Sequence, residues 1–206
     1  AAGQYYVRLT ANQSFTSQLY RLKVNASPMV AGLRDISQHW ARDSIVQFVE
    51  DGIISGYADY RFRPQREITR AEAAEFLTRT FPRPSVTHST APFQDVDEQH
   101  WASQSIQLAS SAQWINGYPD GTFRPQGQLT RVEMAVLLAN VLDLNVDSTE
   151  TSVTFSDVHS NHWALPYLAA MQETGLITGY NNGTFRPNQV ATRAEFISLL
   201  DRIVNP

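Results

Sequence analysis

The sequence contains no cysteine and a single lysine, Lys23, among its 206 residues. Without cysteine there is no disulfide framework, no thiolate zinc site and no thiol nucleophile. The absence also fits an exposed, extracytoplasmic protein. The other cations are all arginines, whose planar fork pairs with carboxylates in a bidentate way. A basic excess is missing too: 16 basic against 20 acidic side chains leave a formal charge of -4, which speaks against a nucleic-acid partner. No apolar run approaches the ~20 residues that span a bilayer, so direct membrane insertion is not expected. The first residues lack the basic-then-apolar order of a signal peptide, and the chain reads as a mature protein or an excised piece. Serine elbows, phosphate-binding loops and His-Glu-x-x-His are likewise absent.

What the chain has is repetition. The tetrad Thr-Arg-x-Glu stands at Thr69–Glu72, Thr130–Glu133 and Thr192–Glu195. A threonine followed three residues later by glutamate, just before an apolar run, is the pattern of a capping box, so each tetrad should open a helix. The cap employs Thr and Glu but gives the arginine no task, and a cation in the first turn opposes the helix dipole. Trp40, Trp101 and Trp163 measure the period at 61 and then 62 residues. Each is flanked by His and Ala, with Asp35, Asp95 or Asp157 upstream, and each is followed after 16 residues by Gly56, Gly117 or Gly179 and then tyrosine. Six residues beyond each glycine comes Phe-Arg-Pro, and seven beyond that arginine comes the arginine of the tetrad. Such spacing indicates one structural unit present in three copies.

Within a unit, the apolar positions one, five and eight residues after the Trp, such as Ala41, Ile45 and Phe48, predict one face of a first helix. A turn follows at Pro119-Asp120-Gly121 or Asn181-Asn182-Gly183; the first copy has Ala58-Asp59-Tyr60 and no glycine, so its turn is expected to differ. The second helix then runs on from the tetrad. The units are expected at residues 31–81, 91–144 and 153–205, joined by linkers at Phe81–Pro84 and Asp147–Ser152. Residues 1–27 carry two alternating, strand-forming stretches and read as a β-hairpin left from an upstream domain.

Phe-x-Asp-Val, His-Trp-Ala, Gly-Tyr-x-Asp-Gly-Thr-Phe-Arg-Pro and Thr-Arg-Ala-Glu, in this order and repeated with substitutions in three copies, resemble the S-layer homology domain across residues 31 to 205. The hairpin resembles the closing strands of a prepeptidase C-terminal type β-sandwich. The first resemblance implies a mainly α fold in which three helix-loop-helix units form a pseudo-threefold helical spindle, a monomer with an internal pseudo-trimer. It also implies a cell-surface module anchored to secondary cell-wall polysaccharide attached to peptidoglycan, often one carrying pyruvate ketals. In that family the arginine of the tetrad is the main ligand contact, which maps onto Arg70, Arg131 and Arg193. A ketal presents a carboxylate, and a guanidinium with a helix N-terminus behind it suits such an anion.

The other reading is that these arginines bridge to acidic groups of a neighbouring unit and only hold the spindle together. For Arg63, Arg124 and Arg186 bridging is the preferred reading. Trp40, Trp101 and Trp163 could stack on sugars or, from the apolar side of the first helix, fill the core. Gly56, Gly117 and Gly179 answer either to positive φ or to ligand approach. Asp35, Asp95 and Asp157 fix a turn or bond ligand hydroxyls. His39, His100 and His162 could in principle gather a metal, but a local cap explains them as well; no metal, cofactor or catalytic residue is expected. A glycoside hydrolase would need two carboxyls in unlike environments, whereas each carboxylate here recurs in every copy. A protein–protein adaptor remains the alternative of another class.

Overall fold

The computed structural model describes residues 32–81, 93–146 and 152–206. The hairpin expected over 1–27 and most of both linkers lie outside them. The described residues form six helices: α1 (Arg42–Glu50), α2 (Arg70–Thr80), α3 (Ser103–Ser111), α4 (Arg131–Val141), α5 (Leu165–Glu173) and α6 (Arg193–Val204). None is long and apolar enough to cross a membrane.

The tetrads open α2, α4 and α6, and all three make the complete capping box, with Thr Oγ1 accepting from the Glu amide and the Glu carboxylate accepting from the Thr amide. The first helices begin differently. Their N-caps are Ala41, Ala102 and Ala164, which have no side chain to offer, and the Nδ1 atoms of His39, His100 and His162 accept from these alanine amides at 3.1, 3.2 and 3.2 Å. The local-cap reading of the histidines therefore describes their contacts. Among the described residues no group of three or more His, Asp or Glu is placed to hold a metal. The anticipated apolar face is buried: Ala41, Ile45 and Phe48, with Ala102, Ile106 and Ala109 and with Ala164, Leu168 and Met171. The tryptophans are not part of it. They precede their helices and stand 63, 59 and 62 % exposed, so core packing is not what they do.

The helices of one repeat make no substantial packing with each other. The substantial packings are α2 on α3, α4 on α5, and α6 on α1, so each second helix lies against the first helix of the next repeat and the last closes onto the first. A ring of backbone hydrogen bonds ties the centre: Ile68 N–H donates to Ala191 O at 3.0 Å, Ala191 N–H to Leu129 O at 2.8 Å and Leu129 N–H to Ile68 O at 3.2 Å. Three isolated antiparallel bridges flank this ring, Glu67 with Thr192, Thr69 with Gln128 and Thr130 with Val190. The side chains of Ile68, Leu129 and Ala191 are buried there. Extended backbone at the centre of a helical protein needs partners for its amides, and each repeat obtains them from the other two.

Outside this centre, Asp35, Asp95 and Asp157 hold each loop. One carboxylate oxygen accepts from the amide of Phe62, Phe123 or Phe185 and the other from the following Arg, at 2.7–2.9 Å. The phenylalanines are thereby fixed in the core, where burial of such a side chain contributes ~1.5–3 kcal/mol. The arginines that follow, Arg63, Arg124 and Arg186, take left-handed φ values of 57°, 57° and 58°. The turn of the first copy does not differ as expected. Tyr60 adopts φ 60° where Gly121 and Gly183 take 79° and 77°, and the same bonds close all three turns, Tyr57 N–H to Arg61 O matching Tyr118 to Thr122 and Tyr180 to Thr184. Arg34 lies over the Tyr60 ring at 5.6 Å and its amide donates to Tyr60 O, which holds a residue that would otherwise avoid this conformation.

Candidate functional site

Three grooves lie between consecutive repeats, and the tetrad arginines form their floors. Each guanidinium crosses to the next repeat, counted cyclically. Nε of Arg70 donates to Phe123 O at 2.8 Å, Nε of Arg131 to Phe185 O at 2.9 Å and Nε of Arg193 to Phe62 O at 3.1 Å. Each also rests on aromatic rings of that repeat: Arg70 on Tyr118 and Phe123, Arg131 on Tyr180 and Phe185, and Arg193 on Tyr57, Phe62 and Phe76, with centroid distances between 4.5 and 5.3 Å. Burial pulls the pKa values of Arg70 and Arg193 below the ordinary guanidinium value, and both remain charged at any physiological pH.

The second guanidinium arm distinguishes the grooves. Arg193 Nη1 donates to Glu72 Oε1 at 2.6 Å, and Arg131 Nη1 to Glu195 Oε1 at 2.8 Å. Arg70 forms no such ion pair among the described residues; its Nη2 donates to the Asn116 carbonyl at 2.6 Å. Two of the three arginines thus make the inter-unit bridge weighed as the structural reading. Glu72 is the most heavily used carboxylate, for it also accepts from the guanidinium of Arg66 and from Tyr57 Oη at 3.0 Å. Burial raises the pKa of that Tyr57 hydroxyl.

The helix N-termini do not add an open anion site behind the arginines. Their first amides are already taken by the next repeat: Arg70 and Ala71 donate to Gly127 O and Pro125 O, Arg131 and Val132 to Gln189 O and Pro187 O, Arg193 and Ala194 to Arg66 O and Pro64 O. The third amide of each goes to the threonine of the capping box. This overturns the expectation that helix ends support a bound carboxylate, because the contact that joins the repeats uses the same donors.

Each groove draws on all three repeats. Arg193, the Gly56–Tyr57 loop with α2, and Trp101 line one of about 300 Å³. Arg131, Gly179 with α6, and Trp40 line a second of about 210 Å³. Arg70, the Trp114–Asn116 loop with α4, and Trp163 line a third of about 170 Å³. The exposed indoles stack against their preceding histidines, ring centroids 5.3–5.8 Å apart, and are held at the rims.

The glycines answer to neither expectation in full. Only Gly179 has positive φ, at 70°. All three are needed because their own repeat packs onto them: an added Cβ would lie 2.5 Å from Leu33 Cδ2 at Gly56, 2.3 Å from Phe93 Cε1 at Gly117 and 2.7 Å from Phe155 Cε1 at Gly179. Asp35, Asp95 and Asp157 serve the loops and are not among the residues lining the grooves. Arg63 and Arg124 bridge within their own turns, to Asp59 at 3.0 Å and Asp120 at 2.9 Å, and Arg63, Arg124 and Arg186 lie over Tyr57, Tyr118 and Tyr180. The sequence reading overlooked those tyrosines, although their place after each glycine marked them. It also gave the tetrad glutamates only a capping task.

The family described as the S-layer homology domain matches residues 33–74, 92–135 and 154–197, more than half of the chain. The chain belongs to this family. An S-layer homology chain is similar to cell surface glycoprotein 1 of Acetivibrio thermocellus, 35% identical over 72% of this chain and 7% of the relative. It is similar also to the cellulosome-anchoring protein of the same organism, 32% identical over 72% of this chain and 34% of the relative. An S-layer protein of Bacillus thuringiensis subsp. finitimus is 31% identical over 81% of this chain and 21% of its own length. The S-layer homology region thus spans about a third or less of the relatives it matches. The family and these relatives place it outside the cytoplasm, at the cell surface.

Proposed function

We propose that this module is a non-catalytic anchor that binds cell-wall polysaccharide attached to peptidoglycan, non-covalently, in the grooves between repeats. One observation carries the reading: each groove joins a guanidinium floor to an exposed tryptophan at its rim, and each is completed by all three repeats. An indole face that remains more than half exposed, pinned by a histidine, is a stacking surface for a sugar ring. The arginine below it retains N–H groups beyond those given to the neighbouring repeat and supplies charge for an acidic substituent such as a pyruvate ketal. A polymer that offers many equivalent sugars engages several grooves at once, and avidity turns modest affinities into firm anchoring.

The test is sedimentation of the 206-residue chain with purified wall sacculi, before and after mild acid treatment that removes pyruvate ketals. The chain is expected to sediment with untreated sacculi and to remain in solution after treatment. Replacement of Trp40, Trp101 and Trp163 together by alanine should abolish sedimentation while leaving the melting temperature unchanged, since these side chains pack on little. Binding that survives removal of the ketals refutes the carboxylate as the recognised group. Full binding by the tryptophan variant refutes the grooves.

A further inference from the structure

The grooves share one frame but differ where the second helix of each repeat forms the wall. Five and nine residues after its own tetrad arginine, α2 carries Glu75 and Arg79, α4 carries Val136 and Asn140, and α6 carries Ser198 and Arg202. All six line their grooves. In the Trp101 groove each lining cation is paired: Arg79 with Glu75 at 2.5 Å and Arg193 with Glu72 at 2.6 Å. In the Trp163 groove the wall is uncharged, and Arg70 shares the space with Glu133. The Trp40 groove alone has two lining guanidinium groups, Arg131 and Arg202, against one carboxylate, Glu195. Arg202 is exposed, donates from Nη2 to the Gly175 carbonyl at 2.7 Å, and forms no ion pair among the described residues. A guanidinium whose partner is neutral keeps its charge for an incoming anion, whereas one already joined to a carboxylate must give that partner up.

We propose that Arg202 is a specificity-determining residue that gives the Trp40 groove its preference for a carboxylate-bearing sugar, with Arg131 as the floor of the same clamp. This rests on the polysaccharide reading above. The position nine residues beyond the tetrad arginine sets the preference, and Asn140 is its uncharged counterpart.

The probes are a methyl glycoside carrying a pyruvate ketal and the same glycoside without the ketal, titrated calorimetrically into the whole chain. A Trp101→Ala, Trp163→Ala background leaves only the Trp40 groove its platform. There Arg202→Gln is expected to weaken binding of the ketal about tenfold and to leave the neutral glycoside unchanged. Arg34→Gln, which removes the same charge outside every groove, should change neither. In a Trp40→Ala, Trp101→Ala background, Asn140→Arg should raise the preference for the ketal in the Trp163 groove. The inference is overturned if Arg202→Gln leaves the ketal-to-neutral ratio unaltered while Arg131→Ala still abolishes binding. If neither glycoside binds the unaltered chain, the polysaccharide reading fails first and this inference falls with it.

Discussion

Glu72, Glu133 and Glu195 occupy the same place in three capping boxes, so replacing each by glutamine is locally the same change. Glutamine can still accept from the N-cap amide and keep the box. The differences lie in what else each carboxylate accepts. Glu72 receives Arg193 across the repeat boundary and Arg66 and Tyr57 of its own repeat, and in its pair with Arg193 the side chains are 10 and 3 % exposed. Glu195 receives Arg131 alone, with 21 and 12 % exposure. Glu133 holds its threonine and pairs with no arginine among the described residues. Breaking a buried ion pair by removing one charge leaves the other uncompensated, at ~3–5 kcal/mol. A glutamine that still bonds returns part of this, so Glu72→Gln should destabilise by ~2–4 kcal/mol and Glu195→Gln, partly solvated, by ~1–2 kcal/mol. Glu133→Gln should stay within ~0.5–1 kcal/mol. Urea unfolding with unchanged slope measures all three, and at ~2–4 °C per kcal/mol the melting temperatures should fall in the same order. Equal losses at the three positions, or Glu133→Gln matching Glu72→Gln, would refute the claim that the tetrad glutamates clasp neighbouring repeats unequally.

Three further outcomes follow from the loops. Gly117→Ala, which sets a Cβ 2.3 Å from Phe93 Cε1 and 3.0 Å from Thr122 O, should lower stability by ~1–3 kcal/mol in urea unfolding; an unchanged midpoint would mean that the aromatic lid is not seated on the glycine. Asp95→Ala leaves the Phe123 and Arg124 amides without their acceptor and should cost ~2–3 kcal/mol in the same assay, a loss under ~0.5 kcal/mol counting against the loop-fixing role. The Asp120 carboxyl, held by Thr122 Oγ1, Arg124 and the Thr122 amide, has its pKa lowered to about 2. A depressed carboxyl contributes fully above the ordinary carboxylate pKa and loses its effect only as the pH falls through the lowered value. An NMR titration of Asp120 should therefore have its midpoint at about 2, and one at about 4, the ordinary value, would refute the turn bonds.

Much of this fold is written locally and could be read from the chain. A threonine and a glutamate three apart specify a capping box by themselves, and all three boxes form. The face from Ala41 through Ile45 to Phe48 is fixed by helical period, and it is buried. Pairings between distant residues were not legible. Nothing near Arg193 announces that its partner is Glu72, 121 residues away, or that α6 lies on α1 rather than on α5. A repeat pattern says that a contact made once is made three times, but not whether it stays within a copy or passes to the next. The tryptophans show the other limit. Period alone placed them beside the apolar face, whereas the helix starts only after the Ala that follows each, and that small displacement turns the indole from core to rim.

The arginine of the tetrad also explains why the copies come as three. Its guanidinium is held by the Phe carbonyl and the tyrosine of the next repeat, so the residue that floors a groove is the residue that clasps two repeats together. The opposite rim comes from the repeat that neither of those supplies: Trp101 for Arg193 over the Tyr57 loop, Trp40 for Arg131 over Tyr180, Trp163 for Arg70 over Tyr118. Taking away the third repeat would remove the floor of the Trp101 groove, the α6 wall of the Trp40 groove and the tryptophan of the third at one stroke. It would also open the hydrogen-bond ring at Ala191 and leave α1 without α6. Groove formation and closure of the ring are therefore a single event in this chain. The divergence among copies at Glu75, Val136 and Ser198, and at Arg79, Asn140 and Arg202, falls on the helix walls, where the grooves can differ without disturbing the clasp.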